Sequence, residues 1–209
     1  MARESRVRKM KAWNRVTIIL ALVPIILLAG VAAFSLAAPK AGKEASSYKR
    51  ALWKHWVDED KDCQDTRTEV LIRDARPSTI KYKGEKECEV RSGEWVDPYT
   101  GKTFNDPAKL DVDHLVPLKQ AHDSGGLAWP REKRALYANY LGYRWHLVAV
   151  DASENRKKGA KGPDEYRPPL KSTHCQYAQA WGSVKAAWGL RTTATERAAM
   201  LEMLATCTN

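Results

Sequence analysis

The stretch Asp111-Val112-Asp113-His114-Leu115-Val116-Pro117-Leu118 decides the fold, together with Arg144-Trp145-His146-Leu147-Val148-Ala149-Val150 and Ser153-Glu154-Asn155-Arg156-Lys157-Lys158-Gly159 downstream. Read outward from it, the order is strand, helix, strand, helix. Asp113–Val116 is expected as a short strand ended by Pro117, and Arg131–Leu141 as a helix with Pro130 at its first turn. His146–Val150 follows as a second strand, and Ala152–Lys158 as a short helix stopped by Gly159. The outcome is a β-β-α core with an inserted helix.

In a regular strand successive side chains alternate, so Asp113 and His114 point to opposite sides, and both serve one site only at a strand end or bulge. Asp113 offers hard oxygen to a divalent ion such as Mg²⁺, and His114 is the side chain suited near neutral pH to take a proton from water. Asn155, on the helix after the second strand, adds another oxygen ligand.

Upstream, Tyr48–Glu59 and Thr66–Ala75 show helical spacing, with Leu52, Trp53 and Trp56 on one side of the first. On the second, Arg67 and Glu69 are candidates for an ion pair. Strands are expected at Thr79–Tyr82, Glu87–Val90 and Glu94–Val96, forming a small antiparallel sheet that ends at the turn Asp97-Pro98-Tyr99-Thr100-Gly101. Downstream of the Pro/Gly-rich stretch Gly159–Pro169, two terminal helices are expected at Thr173–Trp188 and Thr193–Thr206. The eight tryptophans read chiefly as core.

The N-terminal segment stands apart from this domain. Val16 to Ala38 is an uncharged apolar run behind a basic stretch, long enough as a helix to cross a bilayer core. It fits a retained signal anchor, and Ser35-Leu36-Ala37 equally fits the cleavage site of a long signal peptide. Residues 1–38 are thus expected as a cytoplasmic basic segment with a signal peptide or anchor, 39–47 as a linker, and 48–209 as the folded domain, secreted or held at the membrane by that helix. The formal net charge of +10 resides mostly in the tail: the first 43 residues hold eight Lys/Arg and one acid, leaving 27 basic against 24 acidic residues. Global charge therefore identifies no partner. Cys63, Cys88, Cys175 and Cys207 all lie downstream of the export element and imply two disulfides. Of three pairings, Cys63–Cys88 and Cys175–Cys207 close the shorter loops; zinc competes poorly, because no C-x-x-C pair is present.

The three central segments together resemble the HNH, or ββα-metal, nuclease motif, also called the His-Me finger. The first strand reads like that of the HNH domain in RNA-guided nucleases, a similarity that stops at the motif. A longer resemblance, over roughly Trp53 to Cys207, is to the secreted DUF1524 family, related to the C-terminal domain of the GmrSD restriction enzymes. It rests on Asp62-Cys63-Gln64-Asp65-Thr66-Arg67, Gly93-Glu94-Trp95, Asp97-Pro98-Tyr99-Thr100-Gly101-Lys102, Tyr137-Ala138-Asn139 and Trp188-Gly189-Leu190. The resemblance implies an α+β fold: a ββα-metal core with a small antiparallel sheet and surrounding helices.

It also implies an exported endonuclease that uses a divalent metal, Mg²⁺ first and Mn²⁺ second, on nucleic acid, DNA preferred, with low sequence specificity. His114 would be the general base, Asp113 and Asn155 the metal ligands, and Arg156, Lys157 and Lys158 phosphate contacts. The family's middle station, an Asn that braces the loop and orients the base, falls on His146, nine residues before Asn155, and His146 joins the catalytic candidates as bracing residue or as a group near the metal. His122 and His174 match no station; His122 is expected at the surface or supporting the site, and His174 at the surface. Two other classes compete: a non-catalytic nucleic-acid-binding surface module on the same scaffold, and a cell-wall hydrolase. The second would need paired carboxylates in a cleft or a zinc set such as H-x-x-x-H, and the sequence shows neither; a G-x-S-x-G elbow and a P-loop are missing as well.

Overall fold

The computed structural model describes residues 47–208. The N-terminal apolar segment, and all of the expected linker except its last residue, lie outside them. Among the described residues no helix is long and apolar enough to cross a membrane.

The fold is α+β and is organised around one two-stranded ladder. Strands β5 (Leu110–His114) and β6 (Leu147–Asp151) run antiparallel in unbroken register, from Leu110 opposite Asp151 to His114 opposite Leu147. Both faces are covered. Leu110, Val112, Leu147 and Ala149 join Val70 and Leu71 of α1 (Thr66–Asp74) and Trp95 in one apolar cluster. Val148 and Val150 point the other way, into a larger cluster with Tyr99, Tyr177 and Trp181. Period-two alternation thus divides each strand between two cores. On β5 the residues that alternate with Val112 are Asp111, whose side chain is 37% exposed, and the buried Asp113.

Helix α4 (Ala152–Lys158) follows β6 directly and packs on both strands, completing a β-β-α unit. Asp151 caps it, accepting from the Ser153 N–H, and Gly159 at φ 54° ends it in a conformation other residues rarely adopt. Between β5 and β6 the chain carries α2 (Leu118–Asp123) and α3 (Arg131–Ala138). The terminal helices α5 (His174–Trp188) and α6 (Ala194–Leu204) lie together; Thr193 and Glu196 form a capping box, and Lys185 is buried against Glu196.

Several elements differ from the sequence expectation. Tyr48–Glu59 is not a helix: only Arg50–Leu52 forms a 3₁₀ turn, and Trp56 sits at φ 58°, which a right-handed helix cannot accommodate. The single small sheet is two separate pairs, β1 (Lys81–Tyr82) with β2 (Val90–Ser92) and β3 (Trp95–Val96) with β4 (Thr103–Phe104). The strand expected over Asp113–Val116 begins earlier and ends at His114. Helix α3 stops at Ala138 because the Asn139 side chain turns back, donating to the carbonyls of Ala135 and Lys54. His146 is outside the ladder, closing the 3₁₀ turn Arg144–His146, where its N–H donates to Tyr143 O.

The cysteines pair as Cys63–Cys88 and Cys175–Cys207, closing loops of 25 and 32 residues. The first ties the segment before α1 to the turn before β2; the second fastens the start of α5 to the chain end after α6. Each is expected to contribute about 2–4 kcal/mol. Reductant should therefore lower the calorimetric melting temperature, and an unchanged midpoint in protein whose mass confirms four free thiols would contradict this.

Candidate active site

At the end of β5 a cavity of about 420 Å³ is bordered by Asp113, His114 and Asn155, with Arg50, Lys119 and Arg156 on its rim. Alternation turns Asp113 toward α4 and His114 toward α3. Because His114 is the last ladder residue of β5, both still reach the cavity.

Asp113 is 5% exposed and its carboxylate is held from two sides. The Lys158 ammonium donates to Oδ1 at 2.9 Å, and the Tyr99 hydroxyl donates to Oδ2 at 2.7 Å. Lys158 has no solvent exposure and also donates to the His114 carbonyl at 3.1 Å. Burial pushes the Asp113 carboxyl up and the Lys158 ammonium down, and their mutual attraction opposes both shifts. Burial also raises the Tyr99 hydroxyl well above its ordinary value, so it stays a donor. Tyr99 is set in place by the turn expected there: Asp97, fully buried, accepts from the backbone N–H groups of Tyr99 and Thr100.

His114 is fixed by its ring. Nε2 lies 2.9 Å from the Ala138 carbonyl, which can only accept, so the proton is on Nε2 and the neutral imidazole's lone pair is on Nδ1. Nδ1 has no hydrogen-bond partner among the described residues, and the residue lines the cavity. The ring stacks on Trp56, with centroids 5.6 Å apart. Burial holds the His114 pKa well below its ordinary value, so it is neutral at physiological pH.

His146 does not border the cavity. It is 1% exposed, its Nε2 donates to the Tyr137 carbonyl at 2.7 Å, and burial lowers its pKa to about 4. Its carbonyl accepts from the Leu115 N–H at 3.1 Å, just beyond the ladder. Adjacent carbonyls at the end of α3 therefore receive the two imidazoles, Tyr137 from His146 and Ala138 from His114. His146 thus ties the turn before β6 to the end of α3.

Asn155 projects from α4 with Nδ2 donating to Asp111 Oδ2 at 3.2 Å; the carboxylate requires the NH₂ group on that side, which leaves the amide oxygen available. Arg156 extends past Asp111 and is largely exposed. Lys157 is exposed and pairs with Glu154. Lys158, expected with them as a phosphate contact, is instead the internal counter-ion of Asp113 and cannot reach a ligand backbone. Of the two places expected for His122 the surface is ruled out: the residue is 2% exposed and packed against Tyr48 and Trp53. His174 is half-buried and reaches the Pro168 carbonyl. Sequence reasoning missed Tyr99, Asp111, Trp56 and Arg50 as parts of the site. Asp111 carried a signal, standing two residues before Asp113 and so on the same strand face.

Residues 65–203 match the family described as GmrSD restriction endonucleases, C-terminal domain. An uncharacterized secreted protein of the fungus Arthroderma benhamiae is 37% identical over 160 residues, covering 77% of this chain and 76% of its own length. No solved structure matches the chain.

The two lysines of the α4 end should separate sharply. Lys158→Ala strands a buried carboxylate and is expected to cost about 3–5 kcal/mol, while Lys157→Ala at an exposed pair should leave stability near wild type. Urea unfolding of both variants measures this; equal effects would contradict the assignment of Lys158.

Proposed function

Because the chain belongs to the family of GmrSD restriction endonuclease C-terminal domains, we propose that it is an exported, metal-dependent HNH endonuclease cleaving phosphodiester bonds of DNA with little sequence preference. The observation that carries this reading is the His114 ring: Nε2–H fastened to Ala138 O, Nδ1 without a partner among the described residues, on the wall of a cavity shared with Asp113 and Asn155. The paired cysteines and the secreted relative support export.

The oxygen donors fit a hard divalent cation, Mg²⁺ foremost and Mn²⁺ next. Asp113 keeps acceptor capacity beyond its two hydrogen bonds, and the Asn155 amide oxygen is uncommitted. Those two residues would hold the ion, which when bound stabilises negative charge developing at phosphorus. The chain's own groups do the rest. His114 Nδ1 takes a proton from water as the water oxygen bonds to phosphorus and the bond to the 3′-oxygen breaks, leaving a 5′-phosphate end. His146 is a positioning residue, holding the α3 terminus whose next carbonyl orients the base. Arg50 and Arg156 offer positive charge for backbone phosphates, with Lys119 and Lys157 beside them once they leave Asp123 and Glu154.

His114→Ala should abolish most cleavage of plasmid DNA while leaving metal affinity near wild type. Asn155→Ala should weaken metal binding, with partial rescue by excess Mn²⁺. A folded His114→Ala protein cutting at the wild-type rate would overturn the mechanism, and wild-type protein that binds DNA without cutting it under any divalent metal would favour a binding module.

The pH profile follows from the sign of the His114 shift. A base must be neutral, and burial lowers its pKa, so the acid limb of the rate should lie below pH 6.5 with activity already developed at that pH. A limb centred at or above pH 6.5 would contradict it.

A further inference from the structure

Away from the cavity, the segment that leads into α1 gathers carboxylates that no side-chain cation answers. Asp58, Asp60 and Asp62 each offer an oxygen within 4.8 Å of the others. Among the described residues none of them, nor Asp65 or Glu69, forms an ion pair, and Lys61 within the same run pairs with none of them. The expected Arg67–Glu69 pair is not made either, since Arg67 donates to the carbonyls of Pro107 and Leu110. Glu69, in the first turn of α1, borders one cavity together with Asp60.

The spacing is specific. With Asp58 as the first position, acids stand at the first, third, fifth and twelfth, the last being Glu69 in the first turn of α1. This is the register of the twelve-residue calcium loop, D-x-D-x-D-G-x₅-E, in which the seventh residue gives a backbone carbonyl and the twelfth a bidentate carboxylate. The one departure is Cys63 at the sixth position, where the loop requires a sharp turn and usually has glycine. Cys63 nevertheless sits at φ 76°, and its N–H donates to Asp58 Oδ2 at 3.1 Å. A second observation points to a ligand. The other oxygen of that carboxylate, Asp58 Oδ1, is shut off from solvent and has no hydrogen-bond partner among the described residues. An anionic oxygen buried without a donor is costly unless a cation completes it.

We propose that residues 58–69 bind one Ca²⁺ ion through the carboxylates of Asp58, Asp60, Asp62 and Glu69 and the carbonyl oxygen of Gln64. Ca²⁺ is favoured over Mg²⁺ because five protein ligands, one of them bidentate, on an irregular loop suit a large ion with loose geometry. The site is separate from the cavity at Asp113 and does not depend on the nuclease reading. It also bears on that cavity, since Trp56, against which His114 stacks, lies two residues before the first ligand.

Full-length protein stripped with EGTA and titrated calorimetrically with CaCl₂ should bind one equivalent at this loop and gain melting temperature. Asp60→Asn with Asp62→Asn, both at exposed positions, should weaken that binding at least tenfold and remove the gain. Glu69→Gln provides an independent variant should the first fail to fold, and the same loss is expected of it. Asn155→Ala should leave the calcium isotherm unchanged. Absence of binding by wild type, its survival in folded loop variants, its loss in Asn155→Ala, or equal affinity of Asn155→Ala for MgCl₂ and CaCl₂ would each overturn the proposal.

Discussion

The buried pair of Lys158 and Asp113 governs how the central unit is assembled. Burying two charges costs several kcal/mol per ion, so such a pair is a poor source of stability but a strict fixer of geometry, because any slippage leaves a charge uncompensated. Here it locks the last turn of α4 onto the end of β5 at 2.9 Å. The rest of the site follows from helix and strand periods. Asn155 is three residues before Lys158 and shares its helix face, and Asp111 is two residues before Asp113 and shares its strand face. The pair Asn155–Asp111 is therefore a second rung of the same contact, and it turns the Asn155 amide oxygen away from the carboxylate.

The opposite side of β5 uses a different device. A helix end leaves carbonyls without intrahelical donors, and the last residues of α3 place two of them, Tyr137 O and Ala138 O, within reach of imidazoles. The Ala138 carbonyl accepts from His114 and the Tyr137 carbonyl from both His146 and, at 3.4 Å, the Tyr140 N–H, and each histidine is fixed in one tautomer as a result. Apolar and aromatic walls then keep both rings neutral, with Tyr137 lying between them at 4.5 Å from His146 and 6.5 Å from His114. A histidine kept neutral by its surroundings and anchored through one nitrogen has only its other nitrogen left for chemistry.

Charge is arranged locally rather than globally. Arg50, Lys119 and Arg156 collect at the cavity, whereas acids 58, 60, 62, 65 and 69 collect around the entrance to α1. The small net charge of the domain hides both regions. A polyanion would meet the first and a small cation the second, and neither is visible in the sum.

Where elements are decided by neighbours in sequence, the sequence by itself determined them. Helix α4 runs from Ala152 to Lys158 as its Asp cap and Gly stop dictate, the terminal helices agree to within a residue or two, and the cysteine pairs are those that close the shorter loops. The conflict between Asp113 and His114 was legible too, from strand alternation alone, and so was its resolution at a strand end. What only the tertiary structure decided are the fates of side chains whose partners lie far along the chain. Lys158 reads as one more surface cation beside Arg156 and Lys157 until Asp113, 45 residues earlier, is placed beneath it. His146 reads as a strand residue until the Tyr137 carbonyl takes its ring out of the site. The apolar spacing of Leu52, Trp53 and Trp56 reads as a helix, yet Trp53 enters the main core while Trp56 adopts a left-handed backbone to cover His114. Burial and hydrogen bonding to distant groups outweigh local propensity at such positions, because an unpaired buried charge or carbonyl costs more than the few tenths of a kcal/mol by which propensities differ.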